Sequence, residues 1–389
     1  MAIYLDYAAS VPIRAEVLET FTQALQTVGN PSATHSYGQT SRMMLEDARE
    51  QLALAVGCDR SEVIFTAGGT ESDNLAIKGL FWQRRTDNPA RNVIVSAYLE
   101  HHAVIDPIEW LEAHEGAEVA WIPVSDEGVL DLAWLEQFLA SRGSEVALIS
   151  IMWANNEIGV INDINAITAL AAKHDIAVHS DAIAAFGHVP IDFKKSGLSA
   201  MSISAHKVGG PVGVGALILG RAAKLTPLTH GGGQERSMRS GTMNSAGAKA
   251  FAHAAILAIA DMDTHNAHTE ALVEKLRAGV EGAIAGSRFS RGSAIAMTHN
   301  AHFTFEGCSG DSLLFLLDQQ GVCVSTGSAC QAGVNGPSHV LIAMGRSEAD
   351  ANACIRMTLG NKTTKEDIDG LLKVLPAAIQ AALKAGGKQ

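Results

Sequence analysis

No run of apolar residues in this 389-residue chain approaches the roughly 20 that span a bilayer, and the N-terminus MAIYLDYAAS lacks a basic region followed by an apolar stretch. Neither a membrane span nor a signal peptide is expected, which places the protein in the cytoplasm. The five cysteines, Cys58, Cys308, Cys323, Cys330 and Cys354, are an odd number without a CxxC pair. That argues against a disulfide framework and a cysteine-rich zinc site, so each thiol is expected to be free. Basic residues are in deficit: 29 Lys and Arg against 41 Asp and Glu give a net charge of -12. Such a surface repels nucleic-acid phosphate, and any link to RNA or DNA is expected to pass through a partner protein. Internal repeats, low-complexity tracts and long linkers are missing as well.

What is present is an ordinary globular composition, 47% hydrophobic and 18% charged, in a chain long enough for two domains of unequal size. Leu45, Ala48, Leu52 and Val56 recur at helical spacing, and Gly57 supplies the stop, so Tyr37 to Val56 reads as a helix. Strand-like runs then alternate with helical ones: Glu62 to Thr66, Asn92 to Ser96, Glu118 to Ile122, Val146 to Met152, Ile176 to Ser180, Ala200 to Ser204 and Val214 to Leu219. The alternation predicts an α/β fold with a mainly parallel sheet covered by helices. An Ala-rich helix is expected from Ser245 to about Asp263, with a domain boundary after it. A smaller mixed unit follows: strand His302 to Phe305, helix Gly310 to Gln320, strand Val322 to Ser325, a Gly-rich loop, a helix near Ser338, strand Ile355 to Leu359, and a last helix opening with the capping-box pattern Thr363-Thr364-Lys365-Glu366.

The chemistry-bearing residues cluster at strand ends. Lys207 comes just after the run ending at Ser204, at the carboxyl end of a strand, where open α/β sheets keep their ligands. A lysine snorkelling out at a strand end looks the same; the sharper reading is an amine kept neutral by desolvation for covalent chemistry. Phe65-Thr66-Ala67-Gly68-Gly69-Thr70-Glu71-Ser72 leads from a strand into a helix, so backbone N–H groups and the Thr70 hydroxyl suit a phosphate. It is neither a Walker loop nor a GxGxxG dinucleotide turn, and a plain tight turn gives a similar pattern. Asp181 stands at the same sheet end as Lys207 and suits a ring cation, or a helix N-cap. Glu100-His101-His102 follows another strand, without a third ligand at metal spacing.

Taken together these parts are what a pyridoxal phosphate site requires, and the chain resembles the cysteine desulfurases of the IscS/NifS type, in the class V aminotransferase group. The motifs that carry the resemblance occur in order from end to end: YLDYAA at Tyr4, NPSATHSYG at Asn30, FTAGGTESDNLAIKG at Phe65, EHHAV at Glu100, NNEIGV at Asn155, SDA at Ser180, SAHK at Ser204, GGGQERSMRSGT at Gly231 and STGSAC at Ser325.

The resemblance implies the fold type I of pyridoxal-phosphate-dependent transferases. It divides the chain into an N-terminal segment 1–14 packing with the small domain, a large cofactor domain 15–262 with a seven-stranded sheet, and a small α+β domain 263–389. It implies that Lys207 holds pyridoxal 5'-phosphate covalently, that Asp181 pairs with the pyridine nitrogen, and that His101 stacks on the ring. Gly69, Thr70, Ser204 and His206 would hold the phosphate, joined by Thr242 from the neighbouring subunit of a homodimer. Asn156 would lie near substrate and ring oxygen, and Arg356 would bind the carboxylate of L-cysteine with its planar fork. Cys330, in Gly327-Ser328-Ala329-Cys330-Gln331-Ala332-Gly333, would take the sulfur as a persulfide and pass it to acceptor proteins, an iron-sulfur scaffold or a tRNA-thiolating enzyme. It is also a candidate transient iron-sulfur ligand. Gly327-Ser328-Ala329-Cys330 resembles the IscS-like branch more than the SufS-like one. One departure stands out: Ala184 occupies the place of the family's usual glutamine three residues after the aspartate, which removes a hydrogen bond to the ring oxygen. Ser237 replaces a usual glycine, with a minor effect expected. Selenocysteine lyase activity, another class V aminotransferase specificity, and a non-catalytic regulator are the rival readings.

Overall fold

The computed structural model describes residues 2–327 and 336–386. Cys330 therefore lies outside the described residues. The strands, in chain order, are β1 (Ile3–Tyr4), β2 (Val63–Thr66), β3 (Val93–Ser96), β4 (Glu118–Trp121), β5 (Val146–Ser150), β6 (Ala177–Asp181), β7 (Ala200–Ser204), β8 (Gly215–Leu219), β9 (Ser287–Phe289), β10 (Asn300–Phe305), β11 (Val322–Cys323) and β12 (Cys354–Thr358). Seven of them form one sheet in the order β2-β8-β7-β6-β5-β3-β4. Every pairing is parallel except those of β8, which runs antiparallel to both β2 and β7.

Apart from the edge strand β4, this large sheet is buried on both faces. In β2, Val63 and Phe65 enter one core while Ile64 enters the other, and in β3 Val93 and Val95 are divided from Ile94 in the same way. The two-residue period of a strand is the cause: successive side chains leave the sheet on opposite sides. A strand covered on both faces then reads as a continuous apolar run, as VALIS and GALIL do in β5 and β8. The helix Ser36–Val56 packs its Leu45, Ala48, Leu52 and Val56 stripe on one face. It stops at Gly57, whose φ of 70° is a left-handed conformation that favours glycine.

A third core belongs to a smaller unit. There β9, β10 and β12 form an antiparallel sheet in the order β12-β10-β9, and β1 pairs in parallel with β11. One helix, Ser245–Ala283, joins the two units. Its first half buries Ala248 to Ala258 in the large unit's core, and its second half buries Leu272, Val273, Leu276 and Val280 in the small unit's core. This corrects the expected stop near Asp263. The polar stretch around Asp261 marks a solvent-facing middle between two buried halves, and no glycine or proline breaks it. The last helix, Lys365–Gly386, is also capped one residue later than expected: the Thr364 N–H donates to Asp367 Oδ2 at 2.8 Å, and the Asp367 N–H donates back to Thr364 Oγ1 at 3.1 Å.

The segment 231–242 is fastened to this frame by a buried ion pair. Arg49 Nη1 and Nη2 donate to Glu235 Oε2 at 2.7 Å and Oε1 at 2.8 Å, and Oε2 also accepts the Phe65 N–H at 2.9 Å. Removing one member strands a buried charge, so Glu235→Ala is expected to cost about 3–5 kcal/mol, measured as a lowered midpoint in guanidinium unfolding.

Candidate active site

Two neighbouring strands, β6 and β7, end at the same rim of the large sheet and deliver Asp181 and Lys207 to it. Asp181 is the last residue of β6, and Lys207 closes the short turn Ala205–Lys207 after β7. Opposite them, β2 runs through Gly68 into the helix Gly69–Asp87, whose first turn points at the same space. The result is a cavity of about 300 Å³. Of the residues expected at the site, Gly69, Thr70, His101, Asn156, Asp181, Ser204, His206, Lys207 and Arg356 all line it.

The Lys207 amine donates to the carbonyl of Ala8 and, at 3.1 Å, to that of Ala9. The N-terminal segment therefore forms a wall of the cavity and orients the amine. Asp181 Oδ1 accepts the Ile183 N–H at 2.8 Å. The aspartate thus supports a tight turn, where a helix N-cap was the alternative. Burial pushes the Asp181 carboxyl up to about 6, against the opposing pull of the Ile183 N–H and Lys207. His101 caps the helix His102–Glu115 by accepting the Ala103 N–H on Nδ1 at 3.0 Å. Burial, with the Lys207 charge second, lowers its pKa to about 4, which keeps the ring neutral.

Behind Asp181 lies a buried polar layer. His179 shares its Nδ1 with Ser150 Oγ at 2.9 Å and its Nε2 with Ser202 Oγ at 3.0 Å, and Asp73 Oδ1 lies 3.6 Å from Nε2. Burial lowers the His179 pKa to about 3. Asp73 is fully buried, with the Ser202 side chain as its polar neighbour. Burial and then the Asp181 charge push its carboxyl well above the usual range. Of the two, Asp73 is the one that holds its proton more readily.

Arg356, on β12 of the small unit, is 2% exposed. Nη2 donates to Asp6 Oδ1 at 2.9 Å and Nη1 to the Asn156 carbonyl at 3.1 Å, while Nε is buried without a partner. A guanidinium held from behind by a carboxylate and a carbonyl is fixed in direction, and its fork suits a carboxylate ligand.

The cavity can be tested for a phosphate-bearing ring. The first N–H groups of a helix lack intrahelical acceptors, the Ser204 hydroxyl is buried and unpartnered, and Thr70 and His206 stand beside them. A Cβ on Gly69 would come within 2.2 Å of Ile183 Cδ1, so this position is closely packed. The buried Asp181 carboxyl lines the same cavity, close enough to Lys207 to feel its charge. This donor set fits pyridoxal 5'-phosphate, with polar anchors for the phosphate and a carboxyl partner for the ring nitrogen. Ala184 lines the same space, so the missing glutamine amide is missing from the cavity itself.

Two expected participants are not in this cavity. Thr242 is exposed and lies elsewhere on the surface, and Cys330 is outside the described residues. Sequence reasoning missed Asp73, Asp6 and the Ala8 and Ala9 carbonyls. Asp73 was within reach, because it follows Gly69 and Thr70 by four and three residues on one helix and so shares their face. Asp6, Ala8 and Ala9 stand in the YLDYAA motif, which attached no role to them; only the packing of the small unit against the N-terminal segment brings Asp6 to Arg356. The four remaining cysteines are free: Cys58, Cys308 and Cys354 are buried and Cys323 is half-buried. No helix among the described residues is long and apolar enough to cross a membrane.

Comparison with known proteins agrees with this geometry. The family model described as aminotransferase class-V matches residues 3–371. The IscS-like cysteine desulfurase of Mycobacterium tuberculosis is 47% identical over 389 residues, 99% of each chain. The cysteine desulfurase IscS of Methanosarcina thermophila is 39% identical over 380 residues, 97% of this chain and 92% of that one. Among solved structures, a NifS-like protein superposes with a TM-score of 0.90 at 32% identity, covering 98% of this chain and 100% of the other. A structure described as SspA in complex with cysteine superposes with a TM-score of 0.78 at 32% identity, over 93% and 99%.

Proposed function

The chain belongs to the class-V aminotransferase family, among its cysteine desulfurases, and from that premise we propose that its substrate is L-cysteine and its cofactor pyridoxal 5'-phosphate. The observation that carries the reading is the convergence of Lys207, Asp181, His101 and Arg356 on one cavity. The reaction balances as L-cysteine plus the Cys330 thiol giving L-alanine plus a Cys330 persulfide. The Cys330 sulfur bonds to the substrate sulfur, the carbon–sulfur bond breaks, and the proton released by the thiol is matched by one gained at carbon.

Each residue has a share. Gly69, Thr70, Ser204 and His206 would hold the phosphate, Asp181 would pair with the ring nitrogen, and His101 would cover a ring face. Asn156 lies near substrate and ring oxygen, and Arg356 binds the substrate carboxylate. When bound, the cofactor supplies an electron sink for charge that develops at the substrate Cα. Lys207 would hold the cofactor covalently and, once free, would move the Cα proton; the Ala8 and Ala9 carbonyls orient its amine at the cavity. Neutral His101 adds no competing charge.

The exposure of Thr242 fits a homodimer in which it reaches the phosphate of a second copy. The persulfide sulfur passes to acceptor proteins for iron-sulfur cluster assembly or tRNA thiolation, with Cys330 as a transient cluster ligand during transfer. Such a protein works in the cytoplasm, with no direct contact to nucleic acid or membrane. Incubating the pure protein with L-cysteine and a thiol reductant is expected to give alanine and sulfide in equal amounts. Transamination of a 2-oxo acid without sulfide would overturn the reading in favour of an ordinary aminotransferase.

Ala184 gives a second expectation. A donor restored by Ala184→Gln stabilises negative charge on the ring oxygen, so the pH midpoint of the bound cofactor's visible absorption should fall by about one pH unit. An unchanged titration would show that the cavity already supplies this donor from elsewhere.

A further inference from the structure

Three histidines gather beside the active site, and none of the chemistry above uses them. His188 lies in the turn that continues from Asp181, His265 in the solvent-facing middle of the helix Ser245–Ala283, and His299 just before β10. Their ring centroids are 4.1 Å apart for His188 and His299, 5.0 Å for His188 and His265, and 6.1 Å for His265 and His299. Each ring also keeps one buried nitrogen with no hydrogen-bond partner: Nδ1 of His188, Nε2 of His265 and Nδ1 of His299.

An imidazole nitrogen taken out of water without a new partner is destabilising, and three in one cluster point to a shared partner. The rings offer one ligand nitrogen each, all within 4.8 Å of one another. A central point is then no more than about 2.8 Å from each nitrogen, and zinc–nitrogen bonds of about 2.0–2.1 Å require shifts of less than about 1 Å. We propose that His188, His265 and His299 form a binding site for a borderline divalent transition-metal cation of the Zn²⁺ type.

The donor set suits that class, because imidazole binds zinc, copper and nickel while calcium and magnesium prefer oxygen. Burial keeps the rings unprotonated, lowering His188 to about 3 and His265 to about 4 and holding His299 well below its ordinary value, so their lone pairs are available. A cavity of about 30 Å³ lined by His188, His265, Arg14 and Lys207 adjoins the cluster, with room for a water as fourth ligand. The neighbouring Arg14 cation opposes a metal ion, but Asp261 pairs with it at 2.6 Å. The His188 carbonyl already accepts from Asn266 Nδ2 at 2.9 Å, and the His299 carbonyl accepts the Leu359 N–H at 3.0 Å. The metal therefore fastens the turn after Asp181 to the connecting helix and to the small unit that carries Arg356.

The test is zinc titration of chelator-treated holoenzyme, with elemental analysis, thermal unfolding and zinc-edge X-ray absorption. Expected are one zinc per chain, nitrogen scatterers at about 2.0–2.1 Å without sulfur at about 2.3 Å, and a raised unfolding temperature. His265→Gln and His188→Gln, each checked by circular dichroism, are expected to bind at least about tenfold more weakly and to lose the thermal shift. Should one variant misfold, the other and the X-ray absorption of the parent still decide. Absence of stoichiometric zinc, sulfur ligation, or unchanged affinity in a folded variant would overturn the proposal.

Discussion

Replacing Cys330 by alanine is expected to lower alanine release from L-cysteine by at least about 10³-fold, to the level left when a covalent nucleophile is removed from an otherwise intact site. Under the proposed reading it accepts sulfur, and among the described residues the other four cysteines are poorly suited to take that over. Burial pushes the Cys58 and Cys354 thiols up to about 12 and raises Cys308. Cys323 is raised by partial burial and by Asp318 and Asp6. Because the thiolate is the reactive form, these four are less reactive at neutral pH than an ordinary exposed thiol. The variant should keep its cofactor absorption and circular dichroism, so the loss would be one of sulfur transfer alone. Alanine release that survived Cys330→Ala would remove the persulfide step and favour a desulfurating or aminotransferase chemistry that needs no thiol.

Lys207→Ala is expected to be as severe, with a fall in the same assay of at least about 10³-fold from losing a positioned proton carrier. It should also lose the cofactor more readily on gel filtration, since the proposed covalent attachment would be gone. Lys207→Arg separates these roles from simple charge. Arginine restores the cation beside Asp181 but does not give up its proton near neutral pH, so it should restore little activity. A Lys207→Arg enzyme with near-normal rates would mean that the lysine acts only as a charge. Soluble amine added to Lys207→Ala is the complementary measurement, with partial recovery expected if proton movement is the missing function.

Much of this site was legible because its residues lie at the ends of buried strands. An apolar run such as AMSIS leaves little freedom: covered on both faces, it is a strand, and the polar residues that follow it fall at the sheet's rim. The residues at the rim therefore came together as the spacing and motifs implied. Element ends were less legible. The helix Ser245–Ala283 outran its expected stop because its middle faces solvent while both halves are buried, and a local window sees only the loss of apolar residues.

The sequence by itself determined the layered α/β sheet, the strand-end lysine and aspartate, and the helix N-terminus beside them, since each follows from periodicity over a few residues. Only the tertiary structure decided the rest. Asp6 meets Arg356 across 350 positions, and Lys207 is oriented by carbonyls about 200 positions away. His188, His265 and His299 become one cluster only where two units and a bridging helix converge. Contacts of this kind depend on how whole layers pack, and no local pattern encodes which distant side chain will lie opposite.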